Sequence, residues 1–319
     1  MSILSRKQKI QTSTRCAADS SGKCRQVLHN IAKNRTNYLF LLPFGLVFLI
    51  FTVIPVVMAI VIGFTSFNVL EPAEFIGWEN YRRLFFNDDL FITALTNTLT
   101  FAVILGPAGY LLSLTFAWFI NELGPKLRAF MTLLFYAPSL ANIYVIWKLI
   151  FSGDAYGIAN AWLTKLGIIT DPVLWLQDSN KIVPVVIVIL LWASLSTSFL
   201  AFIAGFQTID VSLYEAAAVD GIRTRWQELW YITLPSIKPQ MMFSAIMSIT
   251  SSFAIGDQIT MLVGFPSPNY AAHTIMHHLQ DYGSTRFEMG YACAIATVLF
   301  LLMVICNTII QKFLKKVGE

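Results

Sequence analysis

Residues whose types and spacing suggest chemistry fall into three groups. The first is the run Glu215-Ala216-Ala217-Ala218-Val219-Asp220-Gly221, followed by Trp226 and by Ile232-Thr233-Leu234-Pro235. It forms a polar, helix-forming island between two long apolar segments. Strong helix formers, a glycine break and a second helical stretch closed by Leu-Pro predict a helix, a turn and a helix. A connector has no fold-level need for this combination, so the island reads as a surface on which another molecule docks. The second group is polar side chains inside apolar stretches: Asn142, Tyr144, Ser194, Ser196, Thr197, Ser198, Ser248, Ser251, Ser252, Asp257 and Gln258. An intramembrane carboxylate costs roughly 2.5–3.5 kcal/mol on insertion scales and is usually paired or functional. For any single Ser or Thr, the simpler account is a hydrogen bond to its own helix or a neighbour. The third group, His273, His277 and His278, has the i, i+4 spacing of a helical metal pair. It lacks the Glu and third ligand of a zinc site, so an interfacial loop is expected and no metal centre.

Other chemistries lack their residues. Cys16, Cys24, Cys293 and Cys306 show no ligand spacing, and the last two behave as small apolar residues of a span. No Gly-x4-Gly-Lys-Ser/Thr loop exists, so the chain does not cradle ATP phosphates in the usual way. No intramembrane series of carboxylates and histidines suggests a proton or sodium relay; Asp257 stands alone. No catalytic residue and no bound cofactor are expected.

The elements that must position these groups are helices in a bilayer. Of 319 residues 56% are hydrophobic and 13% charged, against about 25% charged for a soluble globule. Six nearly uncharged runs reach the length that spans the hydrocarbon: Leu39–Phe64, Phe91–Ile120, Ala129–Phe151, Ile182–Ile209, Met241–Val263 and Met289–Ile310. Backbone groups in lipid must be bonded within their own segment, so the spans are helical and the fold class is all-α. The fifth run is the most polar, as suits a helix lining a cavity or packing on a partner. Pro43, Pro55 and Pro107 mark kinks, and the second run is long enough to tilt or to extend past the bilayer.

Lys and Arg set the orientation. With the N-terminus inside, cytoplasmic pieces hold sixteen, outer loops five, and Lys148 lies near the outer end of the third span. Both termini and the 207–240 loop are therefore expected in the cytoplasm, and the net charge of +4 is a topology signal with no nucleic-acid partner implied. Residues 1–37 read as a basic cytoplasmic tail and 38–319 as one six-helix domain. No apolar core with a small-residue cleavage site precedes the first span, so no cleaved signal peptide is expected. Outer segments at 75–86, 152–180 and 264–286 carry mixed aromatic, amide and charged residues, and Ile158–Leu166 could form a short helix. Together they predict an outer face able to receive a protein.

The 215–235 pattern resembles the EAA motif of the membrane permeases of bacterial binding-protein-dependent ABC importers: Glu-Ala-Ala, three residues, Gly, then Ile-x-Leu-Pro. One departure is present, since ten residues (Ile222 to Tyr231) separate Gly221 from Ile232 where nine are usual. The resemblance covers residues 38 to about 311 and extends to Gly77-Trp78-Glu79-Asn80-Tyr81 and Asn97-Thr98. With Trp226, Trp230 and the Gly264-Phe265-Pro266 turn, it points to the maltose and glycerol-3-phosphate group of carbohydrate permeases.

The resemblance implies an inner-membrane, multi-pass subunit that imports a sugar, oligosaccharide or sugar derivative. A second related permease, an ABC ATPase dimer holding ATP and Mg²⁺, and an extracytoplasmic solute-binding protein are the implied partners. It assigns coupling to the ATPase to Glu215, Ala216, Ala217, Asp220, Gly221, Leu234 and Pro235. Glu215 would hydrogen-bond a basic group on the ATPase, the alanines would keep the helix slim, Asp220 would cap the following turn, and Gly221 would supply backbone freedom. Tyr144, Asn142 and the Ser, Asp257 and Gln258 groups would line the substrate pathway. Amino-acid, peptide and phosphate importers share the loop, and an ion-driven six-span transporter or a membrane scaffold remain rivals; the docking helix argues against the first and the polar residues inside the fifth run against the second.

Overall fold

The computed structural model describes residues 35–140 and 144–317, all helix and connecting loop apart from one isolated bridge between Thr65 and Phe75. The tail 1–34, with Cys16 and Cys24, and Asn142 lie outside the described residues. The chain divides into two compact units, Met1–Ala59 and Ile60–Glu319. In the first, α1 (Arg35–Phe48) contains Pro43 and continues through a π-turn at Leu49–Val53 into α2 (Ile54–Ile62). The wide turn precedes Pro55, whose missing N–H would leave a carbonyl unbonded one turn earlier.

The second unit is built around α4 (Asp89–Asn121), which follows a short helix, α3 (Glu79–Phe86). Thirty-three residues make a helix about 50 Å long, longer than the hydrocarbon thickness. Gly106, Gly109, Ser113 and Ala117 are buried on it at helical spacing, giving the small-residue face that lets helices approach closely in lipid. A Cβ on Gly109 would stand 2.8 Å from Ser194 Oγ, so a side chain there would push the neighbouring segment away.

After α4 come α5 (Pro125–Leu140), α6 (Tyr144–Ile150) and α7 (Ile158–Lys165). Then follow α8 (Ser179–Ala193), α9 (Thr197–Gln207), α10 (Val211–Val219), α11 (Arg225–Glu228) and α12 (Leu234–Ser236). The chain closes with α13 (Lys238–Phe253), α14 (Gly256–Val263), α15 (Ile275–Gln280) and α16 (Met289–Val317). Helices α9 and α13 pack on α4 and on each other, and α16 packs on α13. Three apolar clusters fill the contacts. One joins Phe101 and Leu105 to Ile189 and Ile259, one joins Phe91 and Phe253 to Ile275 and Ile295, and one joins Ala117 to Phe199, Phe202 and Ile237.

Among the described residues four helical stretches are long and apolar enough to cross a membrane: Leu39–Ile62, Asp89–Asn121, Ser179–Gln207 and Met289–Lys312. A fifth arises if α13 and α14, bent by 48°, count as one broken span. Of the expected third span, α5 and α6 are described, and residues 141–143 between them lie outside the described residues. The fifth run, expected as one helix, is broken at Ala254 and Ile255, both near φ −90° with small positive ψ, outside helical geometry.

Candidate functional site

Two helix breaks meet beside α4. One separates α8 from α9 at Ser194–Ser196, where Ser196 has φ −129° and ψ −131°; the other separates α13 from α14. Non-helical backbone at membrane depth is tolerated where it is buried in protein or lines a wet cavity. Between these breaks lies a cavity of about 190 Å³. Leu105 of α4 and Leu190 and Ala193 of α8 form part of its wall. Tyr144 of α6 and Ser194, Ser196 and Ser198 from the first break supply hydroxyls. Ser248, Ser251 and Ser252 of α13 and Gln258 of α14 complete the polar side.

The serines are also structural. Ser194 Oγ donates to the Leu191 carbonyl at 2.6 Å, Ser248 to Gly106 at 2.8 Å, Ser251 to Ser248 at 3.0 Å and Ser252 to Ile249 at 2.7 Å. Ser198 and Ser244 exchange bonds, each hydroxyl donating to the other's carbonyl at 3.2 and 3.3 Å. Gln258, its amide assigned by hydrogen bonding, donates to the Ala254 and Ile255 carbonyls at the break, at 3.3 and 3.1 Å. Both accounts of the serines therefore hold: each satisfies a helix carbonyl and still presents an oxygen to the cavity.

Of the eleven polar residues singled out in the apolar stretches, eight line this cavity, and Thr197 of α9 does not. Asn142 lies outside the described residues. Asp257 does not join the lining: it sits exposed in the first turn of α14 and accepts from Gln280 Nε2 at 3.0 Å. The helix break turns it toward the outer segment, away from the Ser-rich face.

The 211–235 island folds as helix, turn and helix. Asp210 caps α10, its carboxylate accepting from the Ser212 amide at 3.0 Å. The helix ends on a Schellman turn, with Ile222 N–H bonded to Ala217 O (3.0 Å) and Gly221 N–H to Ala218 O (3.4 Å). Gly221 has φ +96°, a conformation that glycine adopts without penalty. Asp220 forms the C-cap of α10, and the following helix is capped by Thr224, whose hydroxyl accepts from Gln227 N–H in a capping box. The expected cap role of Asp220 thus passes to Thr224. Tyr214 and Thr233 hydroxyls lie 2.9 Å apart and bind the first helix to the end of the loop. The Trp226 ring lies tilted by 55° against Trp118 of α4, with centroids 5.2 Å apart.

What this loop leaves uncovered is informative. Glu215, Ala216, Asp220 and Pro235 are exposed, Ala217 is buried and Leu234 half-buried. Val219 is 88% exposed, Trp226 62% and Trp230 61%. The Glu215 carboxylate meets no partner among the described residues.

On the opposite side the histidines are buried, not interfacial. His278 Nε2 lies 3.0 Å from Asp88 Oδ2, which also accepts from the Tyr291 hydroxyl at 2.7 Å. His278 Nδ1 is 3.3 Å from His273 Nε2, and His277 Nε2 is 3.1 Å from Thr260 Oγ1. Burial lowers His273 to about 3 and His277 to about 4, and it lowers His278 against the pull of Asp88. Asp88 is itself lowered: burial works against ionisation, but the Tyr291 hydroxyl, the Phe91 amide and His278 outweigh it. No group of His, Cys, Asp and Glu among the described residues is arranged to hold a metal. Asn97 donates to the Ala271 and His273 carbonyls at 3.1 and 2.9 Å, and Thr98 Oγ1 accepts from the Ile275 amide. The Asn97-Thr98 pair therefore anchors the segment before α15 to α4, a role its sequence alone does not reveal.

Comparison with known proteins agrees with this geometry. The family model described as "Binding-protein-dependent transport system inner membrane component" matches residues 109–317. The arabinooligosaccharides transport system permease protein AraP of Bacillus subtilis (strain 168) is 31% identical, covering 88% of this chain and 89% of that protein. The lactose transport system permease protein LacF of Rhizobium radiobacter is 30% identical, covering 85% and 91%. A chain of a bacterial ABC transporter involved in the import of the acidic polysaccharide alginate superposes with a TM-score of 0.68 at 26% identity, covering 90% of this chain and 98% of that one. With the helix-turn-helix loop at 211–235 and the broken helices around a polar cavity, the chain belongs to the inner-membrane components of binding-protein-dependent transport systems.

Proposed function

We propose that the chain is the membrane-spanning permease subunit of an importer for a sugar, oligosaccharide or sugar derivative, driven by ATP hydrolysis on a separate ATPase. The observation that carries the coupling role is the α10 turn, which holds Glu215 and bare apolar side chains in a fixed conformation with none of the described residues covering them. A rigid polar handle with an unpartnered carboxylate is suited to charge-assisted contact with a basic group. In this reading ATP and Mg²⁺ reside on an ATPase dimer, a second related permease completes the pathway, and an extracytoplasmic binding protein delivers solute to the outer face. Both termini and the handle lie on the cytoplasmic side, as the Lys and Arg distribution favours. Movement of the ATPases then biases two arrangements of the broken helices, closing the cavity to one side and opening it to the other.

The carbohydrate reading is favoured by the names of the relatives and by the hydroxyl-rich cavity. The test is binding-protein-stimulated ATPase activity and sugar uptake in reconstituted vesicles. Glu215→Ala removes the charged acceptor, and losing such a contact at a desolvated interface costs about 2–5 kcal/mol. Gly221→Val places a β-branched side chain at φ +96°, in a region that such residues rarely occupy. Both variants should insert normally and lose stimulation and uptake. Wild-type stimulation and uptake in both would refute the coupling role.

A further inference from the structure

A second depression, of about 470 Å³, opens where the end of α6 meets the 151–157 turn, and it holds opposite charges that do not meet. Lys148 supplies the cation and Asp154 the anion, with Val145, Leu149, Ser152 and Tyr156 around them. Among the described residues neither charge enters an ion pair. The acid is held in place. Asn160, fully buried, donates to the Ser152 and Asp154 carbonyls at 3.2 and 3.0 Å, and Asp154 Oδ1 accepts from the Gly157 amide at 2.6 Å. Asp154 Oδ2 takes no bond from the described residues, and both Asp154 and Lys148 are exposed. A fixed carboxylate and an unpaired ammonium with three N–H donors therefore share one open pocket.

One rim of the depression is apolar. α6 is the last part of the third apolar run, and Val145 and Leu149 stand exposed on it one turn apart, while Tyr156 (92% exposed) and Trp162 are bare just beyond. Bare aliphatic side chains followed by Tyr and Trp mark the passage from acyl chains to headgroups, and a lysine there reaches its ammonium to the interface. We propose that the depression binds the headgroup of a bilayer phospholipid carrying a primary ammonium, of the phosphatidylethanolamine type. Lys148 takes the phosphate, Asp154 Oδ2 accepts from the ammonium, and the acyl chains lie along Val145 and Leu149. A headgroup whose phosphate and ammonium are joined by two carbons supplies both missing partners at once. Phosphatidylglycerol would satisfy Lys148 but leave Asp154 without a cation, and a choline headgroup has no N–H to donate.

The test is a photolabelling competition. The full chain is placed in phosphatidylcholine nanodiscs with a phosphatidylethanolamine that carries a diazirine at the top of one acyl chain. After photolysis, label on residues 144–157 is divided by label on α16, which any lipid reaches. Unlabelled phosphatidylethanolamine should displace the label at about one-tenth the mole fraction that phosphatidylglycerol needs, the worth of one charge-assisted hydrogen bond. Lys148→Gln should lower the labelling about tenfold for the same reason. Asp154→Asn keeps an oxygen for the Gly157 amide, so the turn survives, and it should make the two competitors equal. Equal displacement by both lipids in the wild type, or wild-type labelling and selectivity in both variants, would overturn the proposal. So would displacement by soluble phosphoethanolamine as complete as that by the lipid, which would assign the depression to a free zwitterion.

Discussion

The segment around α15 and the loop around α10 are both polar insertions between apolar helices, yet they are finished differently. In the α15 segment almost every buried polar group is bonded within the chain. Asp88 takes bonds from His278 and Tyr291, Asn97 holds two carbonyls, and Arg83 pairs with Glu288 while lying 4.3 Å from the centre of the Tyr291 ring. In the 211–235 loop internal bonds fix the turn and tie Tyr214 to Thr233, while the side chains of Glu215, Val219 and Trp230 are left bare. A surface closed on itself braces the bundle; a surface rigid in backbone and open in side chain suits the docking role proposed above.

The largest expected contrast comes from removing one carboxylate on each side. Asp88→Ala deletes the α4 cap, in which Asp88 Oδ1 accepts from the Phe91 amide at 3.0 Å, and orphans His278 and the Tyr291 hydroxyl. Summing one cap and two hydrogen bonds to a charged group gives a loss of about 4 kcal/mol. Glu215→Ala, at an exposed site, should change folding stability by no more than about 0.5 kcal/mol while abolishing coupling. Thermal midpoints of the detergent-solubilised protein measure the first effect and uptake the second. Equal midpoints in the two variants would erase the distinction between the two surfaces.

Acid should separate the surfaces in the same direction. Histidine in an unfolded chain titrates near 6.5, whereas in the fold His273 and His277 are held down to about 3 and 4 by burial. The groups facing the cluster are Asp88 ahead of α4, Asp257 on α14, and Asp281 and Arg286 after α15. The folded state refuses protons that the unfolded state takes up. Stability from these two residues is therefore complete above pH 6.5 and is lost as pH falls from there toward 4 and 3. At pH 5.5 the loss should be about 2–3 kcal/mol in all, seen as a lower midpoint than at pH 7.5. His273→Asn with His277→Asn should flatten that dependence; an unchanged pH slope would mean that the cluster is not neutral and buried.

How much of this was legible in the sequence differs between the two surfaces for a physical reason. The cytoplasmic turn is local. Helix formers, a glycine and Leu-Pro specify it within one stretch, and the structure places a Schellman turn at Gly221 as that pattern requires. The short helix Ile158–Lys165 was readable for the same reason. The outer network is not local: Asp88 and His278 stand 190 positions apart, and no periodicity announces their pairing. The serines of the cavity were visible as polar residues in apolar runs. The bend that gathers Ser248, Ser251 and Ser252 opposite Ser194, and sends Asp257 the other way, depends on packing against α4. Asp210 and Thr224 were missed as caps although their spacing to Ser212 and Gln227 was readable.

A finer cut through the cytoplasmic loop is the Tyr214 to Thr233 hydroxyl contact, the bond that makes the handle rigid across nineteen positions. Tyr214→Phe removes one neutral, partly buried hydrogen bond and should cost about 1 kcal/mol. Its signature should be greater hydrogen exchange in residues 211–222 with global stability nearly unchanged. Uptake should fall only in part, since Glu215 is still present but less firmly held. Unaltered exchange would show that the turn at Gly221 suffices to hold the handle.

The smallest effect should come from the ion pairs that decorate the same loop. Arg225 contacts Glu228 at 2.8 Å and Glu122 at 3.4 Å, and its side chain is 67% exposed. Exposed pairs of this kind contribute about 0–1 kcal/mol, because water screens the attraction and two long side chains lose rotamer freedom. Arg225→Gln should therefore leave the thermal midpoint within about 2 °C at ordinary salt, with the residual difference vanishing as salt is raised. Glu122 follows α4 directly and Glu228 ends α11, so Arg225 also bridges the loop to the central helix, beside the Trp118 and Trp226 rings. If that bridge transmitted force, the variant would lose uptake while keeping its stability, as Glu215→Ala should. A normal uptake rate would confine coupling to the bare face of α10, and a defect matching that of Glu215→Ala would extend it to α4 through Arg225.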